Sequence, residues 1–296
     1  LDVPLLSVLY PKDPESELIH QTTYAQPITL VLEYAMTQLW RSWGVEPVAV
    51  LGHSLGEIIA ACVAGVMTLR DALTLCAHRA RLMHDLAKPG LMAALAAPEA
   101  EVLEQIADYP DRVSIAAVNG TANTTISGDR ELVEQVCATF TERGVRAKPL
   151  RIATSGHSPL VQPMLKPLRE VARDIEFSAP KIPLLSNVTG ALWPWDSTPD
   201  TDYWSRHSRR TVQFAQCVRT LHDMGYRNFL EVGPAPTLIG LISDDLPADH
   251  EDLLVPSLRP KQDDWEVLLD TVARLYAKGA PIDWAGFDRD YRRTKV

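Results

Sequence analysis

Val48-Ala49-Val50-Leu51-Gly52-His53-Ser54-Leu55-Gly56-Glu57 is the stretch that decides the fold. Val48–Leu51 is a short all-apolar run, the signature of a strand covered on both faces. Gly52-His53-Ser54-Leu55-Gly56 matches the pattern G-x-S-x-G, and the apolar helical segment Ile58–Ala64 follows it. A nucleophile on a sharp strand-to-helix turn asks for small neighbours at both glycines, because the backbone there is strained and crowded. The helix behind the turn aims its first N–H groups and its dipole at developing negative charge, so the Leu55 N–H is a natural oxyanion donor. A five-letter match arises by chance, but the apolar strand before it and the apolar helix after it strengthen the catalytic reading. The alternative is a glycine-rich turn whose Ser54 merely caps the helix.

Upstream, Gln26–Trp43 carries Ile28, Val31, Leu32, Ala35 and Leu39 at helical spacing, with Pro27 suited to the first turn and Gly44 to the stop. Downstream, Thr68 and Asp71 form a capping-box-like start for a helix through Met83. Helices alternating with apolar strands predict an α/β fold with a mainly parallel sheet. Between about residues 92 and 153 the rhythm changes. Leu91–Ala96 reads as a strand, Pro98–Ala107 as a helix, Val113–Asn119 and Thr124–Ser127 as strands, Arg130–Arg143 as a helix and Ala147–Ile152 as a strand. That β-α-β-β-α-β order predicts a small ferredoxin-like insertion. The strands of the larger unit resume at Ile182–Ser186 and Asn228–Glu231, Asp244–Asp252 is acidic and linker-like, and Trp265–Lys278 is an amphipathic helix. The last stretch, Asp283–Val296, is dense in both charge signs and is expected on a surface.

The 296 residues are 46% hydrophobic, enough for one large core and a small satellite, and rule out a disordered chain or a disulfide-stapled miniprotein. Lys and Arg total 29 against 38 Asp and Glu, a net charge of −9 that argues against nucleic acid or an anionic membrane as the main partner. No apolar run approaches the length of a membrane span. Cys62, Cys76, Cys137 and Cys217 lack metal-ligand spacing and read as reduced thiols of a cytoplasmic protein; no metal site is expected. The chain opens on an apolar, β-like segment (Val3, Leu5, Leu6, Val8, Leu9) with no cap before it, as if entered in mid-domain.

A serine hydroxyl requires a base. His20, His78, His84, His222 and His250 lie in polar or helical surroundings and read as surface residues. His53 neighbours the serine but points elsewhere around the tight turn. His157 follows a strand in the turn-rich Thr154-Ser155-Gly156-His157-Ser158-Pro159, where a side chain can reach a cleft. It is the first candidate, with His207 next; on spacing alone a lone histidine is also compatible with a bland structural role. On the helix 68–83, at about 100° per residue, Ala72, Cys76 and Met83 form one stripe with Arg79 at its edge, while Arg70 and Arg81 point away. An inward guanidinium must be paired. Its partner is either an internal carboxylate or a substrate carboxylate held by a bidentate fork.

These residues carry a resemblance. Gly52–Glu57, Arg79, Val118-Asn119-Gly120 with Ile126-Ser127-Gly128, Gly156-His157-Ser158, Tyr203-Trp204, Phe229-Leu230-Glu231-Val232-Gly233-Pro234 and Trp284-Ala285-Gly286-Phe287 together resemble the acyltransferase domain of modular type I polyketide synthases, which is related to the malonyl-CoA:acyl carrier protein transacylases of fatty acid synthesis. The resemblance runs in order over essentially the whole chain. It implies a hydrolase-like parallel-sheet core at 1–91 and 154–250, a ferredoxin-like subdomain at 92–153, and a post-acyltransferase linker at 251–296 that wraps back towards a neighbouring ketosynthase.

It further implies a ping-pong reaction with no permanently bound cofactor. Ser54 attacks the thioester of an acyl-CoA with His157 as base, and the phosphopantetheine thiol of an acyl carrier protein then takes the acyl group. In this family a backbone carbonyl orients the histidine; the sequence does not place it. The arginine matching Arg79 pairs with the free carboxylate of malonyl-type substrates, and Gln26 is placed near the site. The four residues ending at the histidine form a selectivity motif: His-Ala-Phe-His goes with malonyl and Tyr-Ala-Ser-His with methylmalonyl. Thr154-Ser155-Gly156-His157 is neither, and Gly156 leaves room where a bulky residue would block an α-substituent. An α-substituted malonyl-CoA is expected, ethylmalonyl or larger, with methylmalonyl next. His53 joins the substrate-binding set. Arg206, Arg209 and Arg210, with Asn119, are candidate contacts for CoA or the carrier protein, or a solvated charged turn. The family's first strand and its Gly-Gln-Gly loop, whose glutamine completes the oxyanion hole, have no counterpart here, as in a portion of a longer polypeptide. Two other readings compete: a serine esterase or thioesterase of α/β-hydrolase type, and a non-catalytic docking fragment of a megasynthase.

Overall fold

The computed structural model of the chain describes residues 1–150, 155–247 and 250–290. In chain order its elements are α1 (Leu5–Leu9), α2 (Thr22–Ser42), α3 (Leu55–Val63), α4 (Leu69–Leu86), β1 (Leu91–Leu95), α5 (Glu99–Ile106), β2 (Val113–Gly120), β3 (Asn123–Gly128) and α6 (Arg130–Glu142). There follow β4 (Ala147–Pro149), α7 (Gln162–Arg173), α8 (Tyr203–Arg209), α9 (Phe214–Asp223), β5 (Asn228–Glu231), α10 (Leu238–Asp245), β6 (Leu253–Pro256), α11 (Asp264–Ala277) and α12 (Trp284–Phe287).

Two expectations about the first elements are corrected. The apolar start is a helix, not a strand: Pro4, at φ −58°, opens α1, and Val8 buries against Tyr24 and Ile28. Helix α2 begins at Thr22, so Pro27 lies inside it. Proline removes one backbone donor there, and Gln26 replaces some of that hold, its Nε2 donating to Thr22 Oγ1 at 2.7 Å. Helix α4 starts as its sequence predicts, with Thr68 Oγ1 accepting from the Asp71 N–H at 3.1 Å. Helices α2, α3, α4 and α7 enclose the largest core cluster, which includes Leu30, Ile58, Leu75, Met83, Met164 and Leu168.

The elements β1-α5-β2-β3-α6-β4 form a four-stranded antiparallel sheet in the order β2-β3-β1-β4, with Ala93 opposite Ile126 and Leu95 opposite Ala147. Val102, Ile106, Val133, Val136 and Phe140 from α5 and α6 cover it. The last residues of the expected Ala147–Ile152 strand lie outside the described residues.

The expected parallel sheet is smaller than its sequence signature. Among the described residues its ladder is β5 paired in parallel with β6, Phe229 opposite Leu254. Val48–Leu51 and Ile182–Ser186 meet only as a parallel bridge at Val50 and Leu184. Val50 donates to Pro183 O at 2.8 Å and accepts from Leu185 N at 3.1 Å. Pro183 has no N–H to continue the ladder, and Val48 is 67% exposed, so this run is not covered on both faces. A second parallel bridge joins Ala117 of β2 to Val212. Strand β6 opens the segment expected as a linker, and with α11 and α12 it packs on the far end of α2 through Trp40, Trp43, Val255, Leu268, Val272 and Phe287.

Candidate active site

Ser54 sits at the N-cap of α3 with φ 51° and ψ −113°, a backbone region that costs a non-glycine residue about 1–3 kcal/mol. The chain holds it there because a Cβ on Gly52 would come within 2.0 Å of the Gly56 carbonyl carbon. Gly56 itself is different from expectation: among the described residues a Cβ there meets nothing within 4 Å, since the turn already points it away from the crowded side.

His157, also at positive φ (58°) and buried, places its Nε2 2.7 Å from Ser54 Oγ. Its Nδ1 lies 2.8 Å from the backbone carbonyl of Arg210. A carbonyl only accepts, so Nδ1 carries the proton and Nε2 presents its lone pair to the serine hydroxyl. Burial, then the neighbouring His207 and the Arg79 charge, hold the His157 pKa well below the usual imidazole value. It is a neutral base at pH 7. His207, the second candidate, is buried behind His157 with ring centroids 6.0 Å apart and faces Glu57, its Nε2 3.4 Å from Oε2.

Arg79 is 4% exposed, and its fork is aimed at the serine. Nη2 donates to Ser54 Oγ at 3.1 Å, Nη1 donates to Gln26 Oε1, and Nε reaches Ser208 Oγ at 3.4 Å. All three partners are neutral. The internal-carboxylate alternative finds no support, because none of the ion pairs among the described residues involves Arg79. Gln26 is gathered into the site, with its Nε2 also 3.7 Å from Met83 Sδ. Among the described residues, a Cβ at Gly156 would meet only Met83 Cε, at 3.7 Å. Ser155 faces away, donating to Lys88 O at 3.0 Å, and Thr154 lies outside the described residues.

His53 Nε2 donates to Asn119 Oδ1 at 2.8 Å, which joins those two residues beside the elbow, and burial lowers the His53 pKa. The arginine cluster is divided. Arg206 is paired with Asp200 at 2.9 Å, Arg209 donates to Ser114 Oγ at 3.1 Å, and Arg210 is exposed while its carbonyl serves His157.

Two contributors escaped sequence reasoning. Glu57, fully buried, accepts from Tyr203 Oη and from the Asn187 N–H, the latter at 2.7 Å. The Asn187 side chain then grips the elbow, with Nδ2 donating to Gly52 O and Oδ1 accepting from Ser54 N, both at 2.8 Å. The available signal was its place: a polar residue just past the apolar run Ile182–Leu185, where strand ends carry sites in α/β folds. No group of His, Cys, Asp or Glu among the described residues is arranged to hold a metal, and no described helix is long and apolar enough to cross a membrane.

A strained serine with a buried base and a helix N-terminus behind it is arranged for acyl transfer, and the family model described as "Acyl transferase domain" matches residues 2–280. The chain belongs to the acyl transferase domain family. This acyltransferase is 38% identical over 292 residues to the spectinabilin polyketide synthase system protein NorB of Streptomyces orinoci, covering 97% of the chain and 13% of that protein. It is 40% identical over 315 residues to the PKS-NRPS hybrid synthetase ATPKS of Aspergillus niger, covering 100% of the chain and 17% of that protein. The chain therefore spans less than a fifth of the length of these relatives. Among solved structures it is similar to the acyltransferase domain from the second module of the salinomycin polyketide synthase, with TM-score 0.90, 35% identity, and coverage of 98% of this chain and 69% of that one. MCAT from Streptococcus pneumoniae matches with TM-score 0.79 and 27% identity over 90% of this chain and 86% of that one. These likenesses establish the mixed α/β fold of an acyltransferase domain.

Proposed function

We propose that this acyltransferase loads a polyketide extender unit from acyl-CoA, through an acyl-Ser54 ester, onto the phosphopantetheine thiol of an acyl carrier protein. The observation that carries the reading is Arg79: a buried cation whose hydrogen-bond partners among the described residues are all neutral, one of them the nucleophile. A substrate carboxylate would supply the missing anion and bring a malonyl-type thioester beside Ser54. In acylation His157 accepts the Ser54 proton, the Oγ–C bond forms, and the developing oxyanion lies toward the Leu55 N–H at the head of α3. CoA leaves as the thiol, taking the proton from His157. The carrier thiol then gives its proton to His157 and attacks the ester, and Ser54 regains the proton as its bond breaks. The Arg210 carbonyl orients the base throughout.

The ordinary van der Waals distance from a Cβ at Gly156 to Met83 Cε, among the described residues, and the flexibility of a methionine side chain support an α-substituted malonyl unit, ethylmalonyl or larger before methylmalonyl. We assign residues 92–153 to a ferredoxin-like subdomain, 1–91 and 154–250 to a hydrolase-like core, and 251–296 to a linker towards a ketosynthase of the same polypeptide, in a cytoplasmic synthase. Exposed Arg210 is the candidate of the arginine cluster for a carrier-protein or CoA contact, because Arg206 and Arg209 are already engaged.

Mass spectrometry of Ser54 after exposure to a mixture of acyl-CoAs tests nucleophile and substrate together. A Ser54 adduct carrying an α-substituted malonyl group is expected, and no adduct with Ser54→Ala. Unsubstituted malonyl outcompeting the others by about tenfold would overturn the extender assignment, since one methylene is worth about 1–3 kcal/mol. Rapid release of free acid without a carrier protein would point to an esterase.

A further inference from the structure

We propose that Asn187 is a positioning residue whose carboxamide aligns the nucleophile elbow and its oxyanion donor. The inference rests on Ser54 being the nucleophile of the proposed transfer. Asn187 is 1% exposed and spends both ends of its side chain on the two peptide units that precede the nucleophile. The Gly52 carbonyl lies in the first of these units and the Ser54 N–H in the second. Fixing both leaves little freedom in where Ser54 Oγ and the next N–H, that of Leu55, point. It also commits the Ser54 N–H to Asn187 Oδ1, so the Leu55 N–H is the donor of the pair left for a developing oxyanion.

Asn187 is anchored in turn. Its own N–H is held by Glu57 in the first turn of α3, and its carbonyl accepts from Gln213 N at 2.8 Å at the start of α9. Nucleophile, helix and carboxamide thus form a closed ring: elbow to α3, Glu57 to Asn187, Asn187 back to the elbow. No backbone hydrogen bond takes up the Gly52 carbonyl or the Ser54 N–H among the described residues. A carboxamide is the residue type that serves here, because one end must donate and the other accept.

That requirement supplies a test that a mere space-filling role would not pass. Asn187→Asp is isosteric. Ionised, it has no donor for the Gly52 carbonyl and sets a negative charge beneath the oxyanion position. Protonated, it restores the donor–acceptor pattern. The introduced carboxyl would face Glu57 from α3, Tyr203 and His207 from α8, Cys217 from α9, and His53 and Ser54 across the elbow. Glu57 and burial both favour its protonated form.

The experiment follows covalent labelling of the whole chain by an alkyl fluorophosphonate, using intact mass. The Ser54 O–P bond forms, fluoride leaves and the serine proton passes to His157, with no acyl-CoA involved. At pH 8 Asn187→Asp should label about 10²-fold more slowly than wild type, the scale of a lost oxyanion donor. Its rate relative to wild type should recover at least about fivefold by pH 5.5. Asn187→Ala, which removes both hydrogen bonds and adds no charge, should be slowed about tenfold at both pH values. Wild-type labelling rates in either variant, or an Asn187→Asp deficit that is the same at both pH values, would overturn the proposal. If Asn187→Asp does not fold, the alanine variant decides alone. Failure of wild-type Ser54 to label would overturn it together with the proposed function. Normal labelling of wild type without transfer of a malonyl-type group would remove the substrate reading and leave Asn187 in place.

Discussion

Arg79 turns a sequence-level ambiguity into a chemical question, because periodicity set it facing inward but could not say what it met. Its neutral partners predict that Arg79→Ala lowers kcat/KM for a malonyl-type acyl-CoA by about 10²-fold, the loss of ~3 kcal/mol expected for one strong charge-assisted pair. Propionyl-CoA, which lacks the second carboxylate, should change by no more than a few-fold. Equal losses on both would assign Arg79 to folding instead. The buried histidines give a second prediction. His157 and His53 both have pKa values lowered, chiefly by burial, so each stays neutral in the fold while protonating near 6.5 in the unfolded chain. Below about pH 6.5 these two groups therefore bind more protons in the unfolded state, and their contribution to stability falls as pH drops. Glu33, pushed up to about 8 by burial and by Glu231, works the other way over the same range, so the histidine effect is isolated by comparison: on going from pH 7.5 to 5.5 wild type should lose more melting temperature, or gain less, than His53→Gln, and Ser54 labelling should stay flat between pH 8 and 6.5. Ser54, His157 and Arg79 were readable as candidates because a short motif, a turn-rich segment and a helix stripe single each of them out locally. The Arg210 carbonyl was not, since every residue has a carbonyl and only the fold chooses one. Asn187 was missed because an amide at a strand end is common, and its partners lie 133 and 135 positions away.

At the scale of elements, the elbow separates its two glycines. Gly52→Ala would drive a Cβ into the backbone of Gly56 and Glu57, at 2.0 and 2.2 Å, and should abolish soluble folded protein or Ser54 labelling. Gly56→Ala meets no atom within 4 Å on the first turn of α3 and should raise stability by about 0.5–1 kcal/mol, measured by urea unfolding. Destabilisation by Gly56→Ala would return it to the crowded role that the pattern suggested. The helices with a local signal, α2 to α6 and α11, were legible to within a few residues at their ends, because caps and apolar stripes are local: Thr68 caps α4 and Asp129 caps α6; α1 carries a strand-like pattern and α7 to α10 were not read. Strands were less so. Val48–Leu51 has the composition of a buried strand, yet Pro47 precedes it and Pro183 lies inside its partner segment, and among the described residues its pairing stops at a single bridge. Apolar composition marks only a tendency to be buried, and Val48 escapes it; ladder length depends on a partner distant in sequence.

At the scale of the whole molecule, α2 links two sites that the sequence treats separately. One end carries Gln26 against Arg79; the other packs Trp40 and Trp43 against β6, α11 and α12. Trp43 is 3% exposed and touches Trp40, Trp265 and Phe287. Trp43→Ala should cost about 3–5 kcal/mol in urea unfolding, as for other buried tryptophans, far from the reacting atoms. A cost below ~1 kcal/mol would make the C-terminal segment an ornament of the fold and not a part of it. The antiparallel sheet is tied to the base in a similar way. Val212 exchanges hydrogen bonds with Ala116 and Val118 of β2, and Thr211 donates to Ile115 O at 2.8 Å, which fixes the segment whose Arg210 carbonyl steers His157. Serine, histidine and carbonyl therefore reach the growing chain in that order, and the sheet that secures the last of them is complete before it arrives. During synthesis Ser54 emerges first and waits as an ordinary alcohol, without a base until His157 follows and without a directed base until Arg210 does. The proposed nucleophile thus gains its base and the carbonyl that orients it only after residues 157 and 210 have been added.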